Sequence, residues 1–189
     1  MFLRDLVGKW FIEYRTDLFN MEVGRLAYDL LNKDAEMEIT DKVNEMNNMQ
    51  ILVILRCIIG RVDYTIIIAK NFNHKQMEEL RQYLMRRIDV TIVYDTEISH
   101  EVMRLVRTAI SKGLNVPYIP FKDYSYEQVE QIMLALSQGL NITPLLNNNL
   151  SEDEMEIIRR RMNEDSVNKC KCLDAKYYED IHKNIFGNI

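Results

Sequence analysis

The chain has 189 residues, of which 47% are hydrophobic and 28% charged, and its formal net charge is −5. This composition is typical of a globular protein with a buried core, and it excludes a wholly disordered chain. The negative charge argues against a general nucleic-acid binder, because phosphate contacts need a clustered basic surface. The apolar runs of the sequence, such as residues 66–69, are far too short to span a bilayer, so we expect no membrane partner.

Two features of the sequence favour a reducing, cytoplasmic setting. Residues 1–10 contain three charged side chains, and this is unlike the apolar core of a signal peptide. The cysteines are an odd set without the spacing of a disulfide framework: Cys57, Cys170 and Cys172.

The first predicted element is an amphipathic helix in a segment, residues 1–46, that we predict to be an N-terminal cap with a degenerate repeat. The helix contains the single tryptophan of the chain, and its apolar positions are Leu3, Leu6, Val7, Trp10, Phe11 and Tyr14. A slipped copy of the repeat follows at Val23, Leu26 and Leu30.

Residues 47–169 form the predicted tandem repeats, which begin with a recurring helix-start signal. Asn73, Ser99, Ser125 and Ser151 lie 26 residues apart, and Asn47 precedes them at the same spacing. Each residue type caps a helix by accepting from free backbone N–H groups. The third residue after the cap completes a capping box in three of the four later copies, at Gln76, Gln128 and Glu154, with Val102 as the exception.

The helix bodies repeat as well. In each copy, apolar residues follow the 3-4-4 spacing of one helical face, which predicts helices of about 13 residues. The stripes are Ile51, Ile54, Ile58 and Val62; Met77, Leu80, Leu84 and Ile88; Met103, Val106, Ile110 and Leu114; Val129, Ile132, Leu136 and Leu140; and an incomplete Met155, Ile158 and Met162. Gly113 and Gly139 stand where a helix ends on a left-handed residue, and Arg61 and Arg87 occupy the matching positions.

A short second segment follows each of the first four helices of the tandem repeats. It opens with an Asp or Asn that could cap one turn of α- or 3₁₀-helix, namely Asp63, Asp89, Asn115 or Asn141. The β-branched residues that come next are also typical of a short strand. We favour the helical turn, because Pro117 and Pro144 fit a strand ladder poorly.

Residues 170–189 are predicted to be a C-terminal cap, with a last helix capped by Asp174, continuing through Tyr178, Ile181 and Ile185, and stopped by Gly187. Cys170, Cys172 and His182 in this segment are the best metal candidates, because thiolates and imidazole suit zinc. A C-x-C pair without a second pair is a weak signal, so we favour incidental cysteines and expect no metal or other cofactor.

Together these signals predict a single, mainly α-helical domain over residues 1–189. A short helix cannot bury its apolar stripe alone, whereas stacked neighbours can, and the terminal copies must then differ from the rest. The predicted architecture is a solenoid-like array of 26-residue repeats with distinct N- and C-terminal capping helices.

The repeats also resemble a known pattern. The likeness is carried by Gln76-Met77, by Arg81, Arg107 and Arg159, and by the helix-stop runs Gly113-Leu114-Asn115-Val116 and Gly139-Leu140-Asn141-Ile142. These residues resemble tandem repeats of the form F-x-x-x-Q-M-x-x-I-R-x-x-L-x-x-G-L-D-V, which occur in uncharacterised proteins of low-GC Gram-positive bacteria, often beside plasmid and phage genes. The chain departs from the pattern at Met133, Val102 and residues 166–168. The resemblance implies an architecture and a mobile-element context, and it brings no catalytic residue.

The candidate binding residues recur at fixed positions of the repeat. Arg81, Arg107 and Arg159 border the apolar stripe, and stacking would line them up as a ladder that could grip a phosphate or an acidic partner. Pairing with nearby acids is the interpretation that we favour. Glu152 and Asp153 suit the positive end of their helix and could also contact a basic partner. His74 and His100 share a first-turn position, which we interpret as solvent-facing.

The sequence contains no catalytic or cofactor-binding motif: no phosphate loop, no H-E-x-x-H, no G-x-S-x-G and no dinucleotide fingerprint. We therefore predict a protein that is not an enzyme. The leading hypothesis is a protein-interaction module, most specifically a phage- or mobile-element-encoded inhibitor of the anti-CRISPR type that binds a host nuclease. The alternative is a regulatory accessory protein that binds nucleic acid through the arginine ladder.

Overall fold

The computed structural model describes residues 45–168, and within this range the prediction of a mainly helical protein is confirmed. The described residues form six α-helices and no β-strand: α1 Asn48–Ile59, α2 Thr65–Ile68, α3 His74–Met85, α4 His100–Ser111, α5 Tyr126–Ser137 and α6 at 152–168. Short 3₁₀ turns lie at Thr91–Val93, Phe121–Asp123 and Thr143–Leu145. The predicted N-terminal helix, the slipped copy and the C-terminal cap with Cys170, Cys172 and His182 lie outside the described residues.

The chain divides into two compact units between Arg107 and Thr108, inside α4. In the first unit, α1 and α2 both pack against α3. None of the helices within residues 45–168 has both the length and the apolar character that a bilayer crossing needs.

The first two residues of each of the four complete predicted stripes are buried in the core, whereas the last two are only half-buried. Met77, Met103 and Val129, the first residues of three stripes, are at most 1% exposed. Towards the C-terminal end of α3 the core includes Tyr83, which is fully buried and donates its hydroxyl to the Met103 carbonyl at 2.8 Å, whereas the predicted Leu84 is only half-buried. Tyr83 and Leu84 lie on adjacent edges of the apolar face of α3, and Tyr83 rather than Leu84 is buried in the core.

The helix starts follow the predicted pattern. Asn47, Asn73 and Ser125 each accept from the N–H three residues later. The glutamine at that later position accepts in turn from the backbone N–H of the cap residue, which completes the capping box. At Ser151 the box is completed by Glu154, whose carboxylate accepts from the Ser151 N–H at 2.8 Å. Ser99 caps α4 by accepting from the Val102 N–H, but no capping box forms, because the valine side chain has no oxygen that could accept from the Ser99 N–H.

The helix ends also share one geometry. Arg61, Arg87, Gly113 and Gly139 all have positive φ, between 52° and 84°. The next N–H then reaches back five residues to a helix carbonyl, as from Ile88 to Tyr83 at 3.0 Å. This pattern closes α1, α3, α4 and α5, and it satisfies carbonyls that the helix itself leaves open. In α6 the matching residue is Asp165, and the helix continues past it to residue 168.

The positive φ of Arg87 and Gly139 predicts opposite changes in stability when glycine is introduced at one position and removed at the other. Arg87→Gly should raise the free energy of unfolding by about 1 kcal/mol, because a side chain at positive φ is strained and glycine is not. Gly139→Ala should lower it by about 1 kcal/mol for the same reason, since open space surrounds the position and only backbone strain is added. Urea denaturation followed by circular dichroism measures both changes, and effects of the same sign would contradict the explanation.

The short segment that follows each repeat helix is a helical turn, as we favoured, in three of the four copies. Asp63, Asp89 and Asn141 each accept through Oδ1 from the N–H two residues later, which belongs to a threonine. In the third copy that residue is Pro117, which has no N–H to donate. The prediction of a turn opened by Asn115 is therefore wrong, and the 3₁₀ turn occurs later, at Phe121–Asp123.

A matched pair of asparagine variants tests this explanation. Asn141→Ala removes a cap that accepts from the Thr143 N–H at 3.1 Å and from its hydroxyl at 2.8 Å, so we expect a loss of about 1 kcal/mol in the free energy of unfolding. Asn115→Ala should cost less than about 0.5 kcal/mol, because Pro117 offers no donor. Equal losses in thermal and urea denaturation would refute the role of the Asn141 cap.

Candidate interaction surfaces

The first predicted ladder residue, Arg81, is paired within its own helix. Its Nη2 and Nε donate to the two Glu78 carboxylate oxygens at 2.6 and 3.0 Å, and the Arg81 side chain is only 13% exposed. Burial raises the pKa of Glu78, but the hydrogen bonds from Arg81 and Gln82 outweigh it and hold that pKa below its usual value. The pair therefore contributes stability above the unfolded pKa of Glu78, and this contribution is lost as the pH falls.

The second ladder residue, Arg107, binds a buried carboxylate of the preceding repeat. Glu79 is 4% exposed and accepts from Arg107 Nε at 3.0 Å and Nη2 at 2.9 Å through one oxygen. Its other oxygen accepts from Arg104 Nε at 2.9 Å. The Arg107 side chain is 12% exposed, whereas that of Arg104 is 59% exposed. Glu79 therefore joins α3 to α4 through one deeply placed and one solvent-facing guanidinium.

The third ladder residue, Arg159, makes the equivalent contact in the second unit. Its Nε donates to Gln131 Oε1 at 2.9 Å, and its Nη1 donates to Gln138 Oε1 at 3.2 Å. Gln131 precedes Arg159 by 28 residues, as Glu79 precedes Arg107. All three predicted ladder arginines thus have acceptors within their own unit, and their role in binding a partner stays a prediction.

The spacing of 28 residues was a signal that the sequence analysis missed. An arginine follows a polar acceptor at this distance in two copies. Where the earlier residue is Leu105, the later one is Met133. Arg81 follows the buried Val53 and instead pairs with Glu78. Met133, which replaces the arginine of the pattern, therefore stands 28 residues after an apolar residue, Leu105, rather than after a polar acceptor.

A second set of cross-repeat contacts comes from the glutamines of the capping boxes. Gln76 uses Oε1 to cap its own helix and donates through Nε2 to the carbonyls of Thr96 and Ile98, at 2.9 and 2.7 Å. Gln128 contacts Asn148 and Leu150 in the same way, and Gln50 contacts Phe72. A glutamate could complete the box but could not donate, so glutamine at this position was the signal for the second contact.

Charge is distributed unequally along residues 45–168, the part of the chain that the structure describes. In the described residues of the first unit, nine Lys and Arg side chains nearly balance eight Asp and Glu. In residues 108–168 the acidic side chains outnumber the basic ones by nine to five. The predicted partner-binding residues Glu152 and Asp153 are exposed in the first turn of α6, within this acidic stretch of residues 108–168. They are placed where a basic protein surface could reach them.

The two equivalent histidines are only partly exposed. His74 and His100 are both half-buried, and the interpretation of them as solvent-facing is too simple, since both line one groove of the first unit. His100 Nδ1 lies 2.8 Å from a Glu101 oxygen. Residues 45–168 contain no group of three or more His, Cys, Asp and Glu side chains that could hold a metal ion.

Burial of Cys57 predicts a protected thiol. The residue is fully buried and unpaired, and desolvation raises the pKa of its thiol to about 12. We expect alkylation by iodoacetamide at pH 8 to be on the order of a thousandfold slower than in the urea-unfolded chain, because the thiolate is the nucleophile. Peptide mass spectrometry after timed alkylation measures the rate, and rapid labelling of the folded protein would contradict the burial.

These observations define a mainly helical protein in which a few polar side chains, those of Gln76, Glu79, Gln128 and Arg159 among them, join helices to segments 20 to 28 residues away in the sequence. Comparison of the chain with protein-family models, with curated proteins and with solved structures finds no match.

Proposed function

We propose that this protein is a cytoplasmic protein-interaction module, built as a solenoid-like array with capping ends, that docks the exposed acidic side chains of residues 108–168 on a basic surface of a partner protein. The observation that carries the proposal is the excess of exposed acidic side chains in residues 108–168, including Glu152 and Asp153. Complementary charge steers association and selects the partner, so such a surface favours a basic target.

The cross-repeat contacts support a binding role. Glu79, Gln76, Gln128 and Arg159 each fix one repeat to the next within a unit. A surface that is rigid before binding loses less conformational freedom when a partner docks. Rigid helices with regularly spaced exposed positions are the usual means by which repeat proteins present an extended binding surface.

The sharpest form of the proposal is an inhibitor, of the anti-CRISPR type, that binds a host nuclease. The nucleic-acid channel of such a nuclease is positively charged and would accept an acidic protein. The resemblance of the repeats to those of proteins encoded beside phage and plasmid genes also supports this form. The alternative, nucleic-acid binding through the arginine ladder, has less support, because Arg81, Arg107 and Arg159 already have protein acceptors.

The test combines capture with a matched charge variant. The tagged full-length protein and its Glu152→Gln/Asp153→Asn variant are used to capture partners from lysate of the native host after nuclease treatment. We expect the wild-type protein to retain one stoichiometric basic protein, and the variant to retain several-fold less, since rim charges act on association. Glu45→Gln/Glu97→Gln, at two exposed acidic positions of the first unit, serves as the control for general loss of two charges.

Two results would overturn the proposal. Recovery of nucleic acid in untreated lysate, with no protein and with a strong dependence on salt, would favour the alternative. Equal capture by the wild-type protein and the double variant would exclude Glu152 and Asp153 from the interface. If the captured protein is a CRISPR nuclease, addition of the purified chain should stop target-DNA cleavage, and unchanged cleavage would rule out the inhibitor form.

A further inference from the structure

A groove of about 330 Å³ crosses the first unit beside the N-terminal halves of α1, α3 and α4. Its size lies at the lower end of the range for ligand pockets in proteins. Leu52 and Val53 of α1 line it with side chains that are at most 3% exposed, and Met49, which is 41% exposed, lines it where solvent has access. The accessible part of this apolar wall is therefore mainly the flexible side chain of Met49, which is suited to contact an aliphatic group.

The remaining lining residues are polar and mostly cationic. Arg56, Lys75 and Arg104 contribute three positive charges, and the half-buried His74 and His100 contribute imidazole rings. The cations are accessible, since Lys75 is exposed and the side chains of Arg56 and Arg104 are 33% and 59% exposed. A ligand in the groove would meet positive charge next to the apolar wall.

Two carboxylates also line the groove, but both are engaged with arginines. Glu78 accepts from Arg81 and lies 3.8 Å from Arg56, while Glu79 accepts from Arg104 and Arg107. A third carboxylate, that of Glu101, lies against His100. Among the described residues that line the groove or pair with a lining residue, five cationic side chains outnumber three carboxylates. The groove attracts anions although the chain as a whole is acidic.

The shape and lining of the groove distinguish between classes of anion. A nucleic-acid site would place aromatic side chains for base stacking beside a basic track. No Phe, Tyr or Trp side chain is among the described residues that line this groove. The apolar wall instead fits an aliphatic side chain, and the neighbouring guanidiniums fit a carboxylate through charge-assisted hydrogen bonds.

We propose that this groove binds a short protein segment in which a carboxylate side chain is adjacent to an aliphatic one. The site is distinct from the acidic side chains of residues 108–168 in both location and sign of charge, so it does not rest on the function proposed above. It would give the protein a second contact, with an acidic segment of a partner.

The test uses the full-length, ¹⁵N-labelled protein and the acetylated, amidated peptide Leu-Glu-Leu-Glu as the probe. Leu-Gln-Leu-Gln removes the charge, Gly-Glu-Gly-Glu removes the aliphatic groups, and a short oligothymidylate represents nucleic acid. We expect the probe to bind with a dissociation constant below about 1 mM and to shift the amide resonances of residues lining the groove, whereas each altered peptide binds at least about tenfold more weakly.

The variant Lys75→Glu tests the site directly. An acidic side chain in the first turn of α3 is compatible with the helix dipole, so the fold is retained, and circular dichroism checks this. Reversal of this charge should weaken binding of the probe at least about tenfold, whereas Lys112→Glu, at an exposed position in the second unit, should change it less than about twofold. Absence of binding, indifference to Lys75→Glu, or displacement of the probe by oligothymidylate would each overturn the proposal.

Discussion

Replacement of Glu79 by alanine is expected to lower the free energy of unfolding by about 3 kcal/mol. The substitution leaves the guanidinium of Arg107, whose side chain is 12% exposed, without the carboxylate that it contacts through two nitrogens. Removal of one partner of a buried ion pair is costly because the remaining charge is desolvated and uncompensated. Arg104 loses its bond to Glu79 too, but its exposed side chain can return to water.

Two further variants separate charge from packing. Gln131→Ala, at the equivalent position of the second unit, should cost about 1 kcal/mol, because its partner Arg159 is only half-buried and the acceptor is neutral. The double variant Glu79→Leu/Arg107→Met introduces the residue types that Leu105 and Met133 already supply 28 residues apart. It should recover most of the loss, since apolar replacements of similar size can substitute for a buried ion pair. Urea denaturation of all three proteins gives the comparison, and a double variant as unstable as Glu79→Ala would contradict the interpretation.

The helix starts and ends were predictable because their signals are local. Helix caps, left-handed stops and apolar stripes depend on residues within one or two turns of each other, so the sequence spacing determines them directly. The structure accordingly places Asn47, Asn73 and Ser125 at capping positions and Arg61 and Arg87 at positive φ. The mainly helical content of residues 45–168 follows from these short-range rules.

The third copy shows where a repeat pattern misleads. The pattern of the neighbouring copies predicted a helical turn at Asn115, although Pro117 removes the N–H donor on which the turn depends. Ile119, at the position of Val93 and Leu145, is nevertheless 2% exposed. The apolar position of the repeat is thus retained while its local hydrogen bond is lost. Burial of this side chain does not require the preceding turn.

The interaction surfaces were less predictable, because they depend on which repeats meet and in which register. Pairing of the three arginines with nearby acids was favoured from the sequence, and it holds for Arg81 with Glu78. The acceptor of Arg107 is instead Glu79, 28 residues earlier, and Arg159 donates to two glutamines. The groove beside Lys75 combines residues of three helices, none of which forms a motif alone. Such sites arise from packing, and a single sequence contains only their separate parts.

A single-atom change in Gln76 should be nearly as damaging as the loss of Glu79. Gln76→Glu retains the oxygen that caps α3 but replaces the amide NH₂, which donates to the Thr96 and Ile98 carbonyls, with a second acceptor. Since residue 76 is 4% exposed, water cannot relieve the resulting repulsion among three oxygens. We expect the free energy of unfolding at pH 7 to fall by about 2–3 kcal/mol.

The pH dependence distinguishes this cause from simple loss of packing. Burial and the facing carbonyls raise the folded-state pKa of the new carboxyl above its unfolded value of about 4.3. The folded variant therefore takes up a proton before the unfolded one does, and a protonated carboxyl can donate again. The stability gap to the wild-type protein should narrow as the pH falls from 7 towards that unfolded value.

The control is Gln128→Glu, which removes the same two types of contact at a less buried position, where solvent can reach the carboxylate. The fall in the free energy of unfolding for Gln128→Glu should be about half that for Gln76→Glu. Glu154 already occupies the equivalent position in the last repeat and completes its capping box, so a glutamate there is compatible with the helix start itself. A pH-independent loss in Gln76→Glu, equal to that of Gln128→Glu, would mean that the amide donor of Gln76 does not hold α3 to the next repeat.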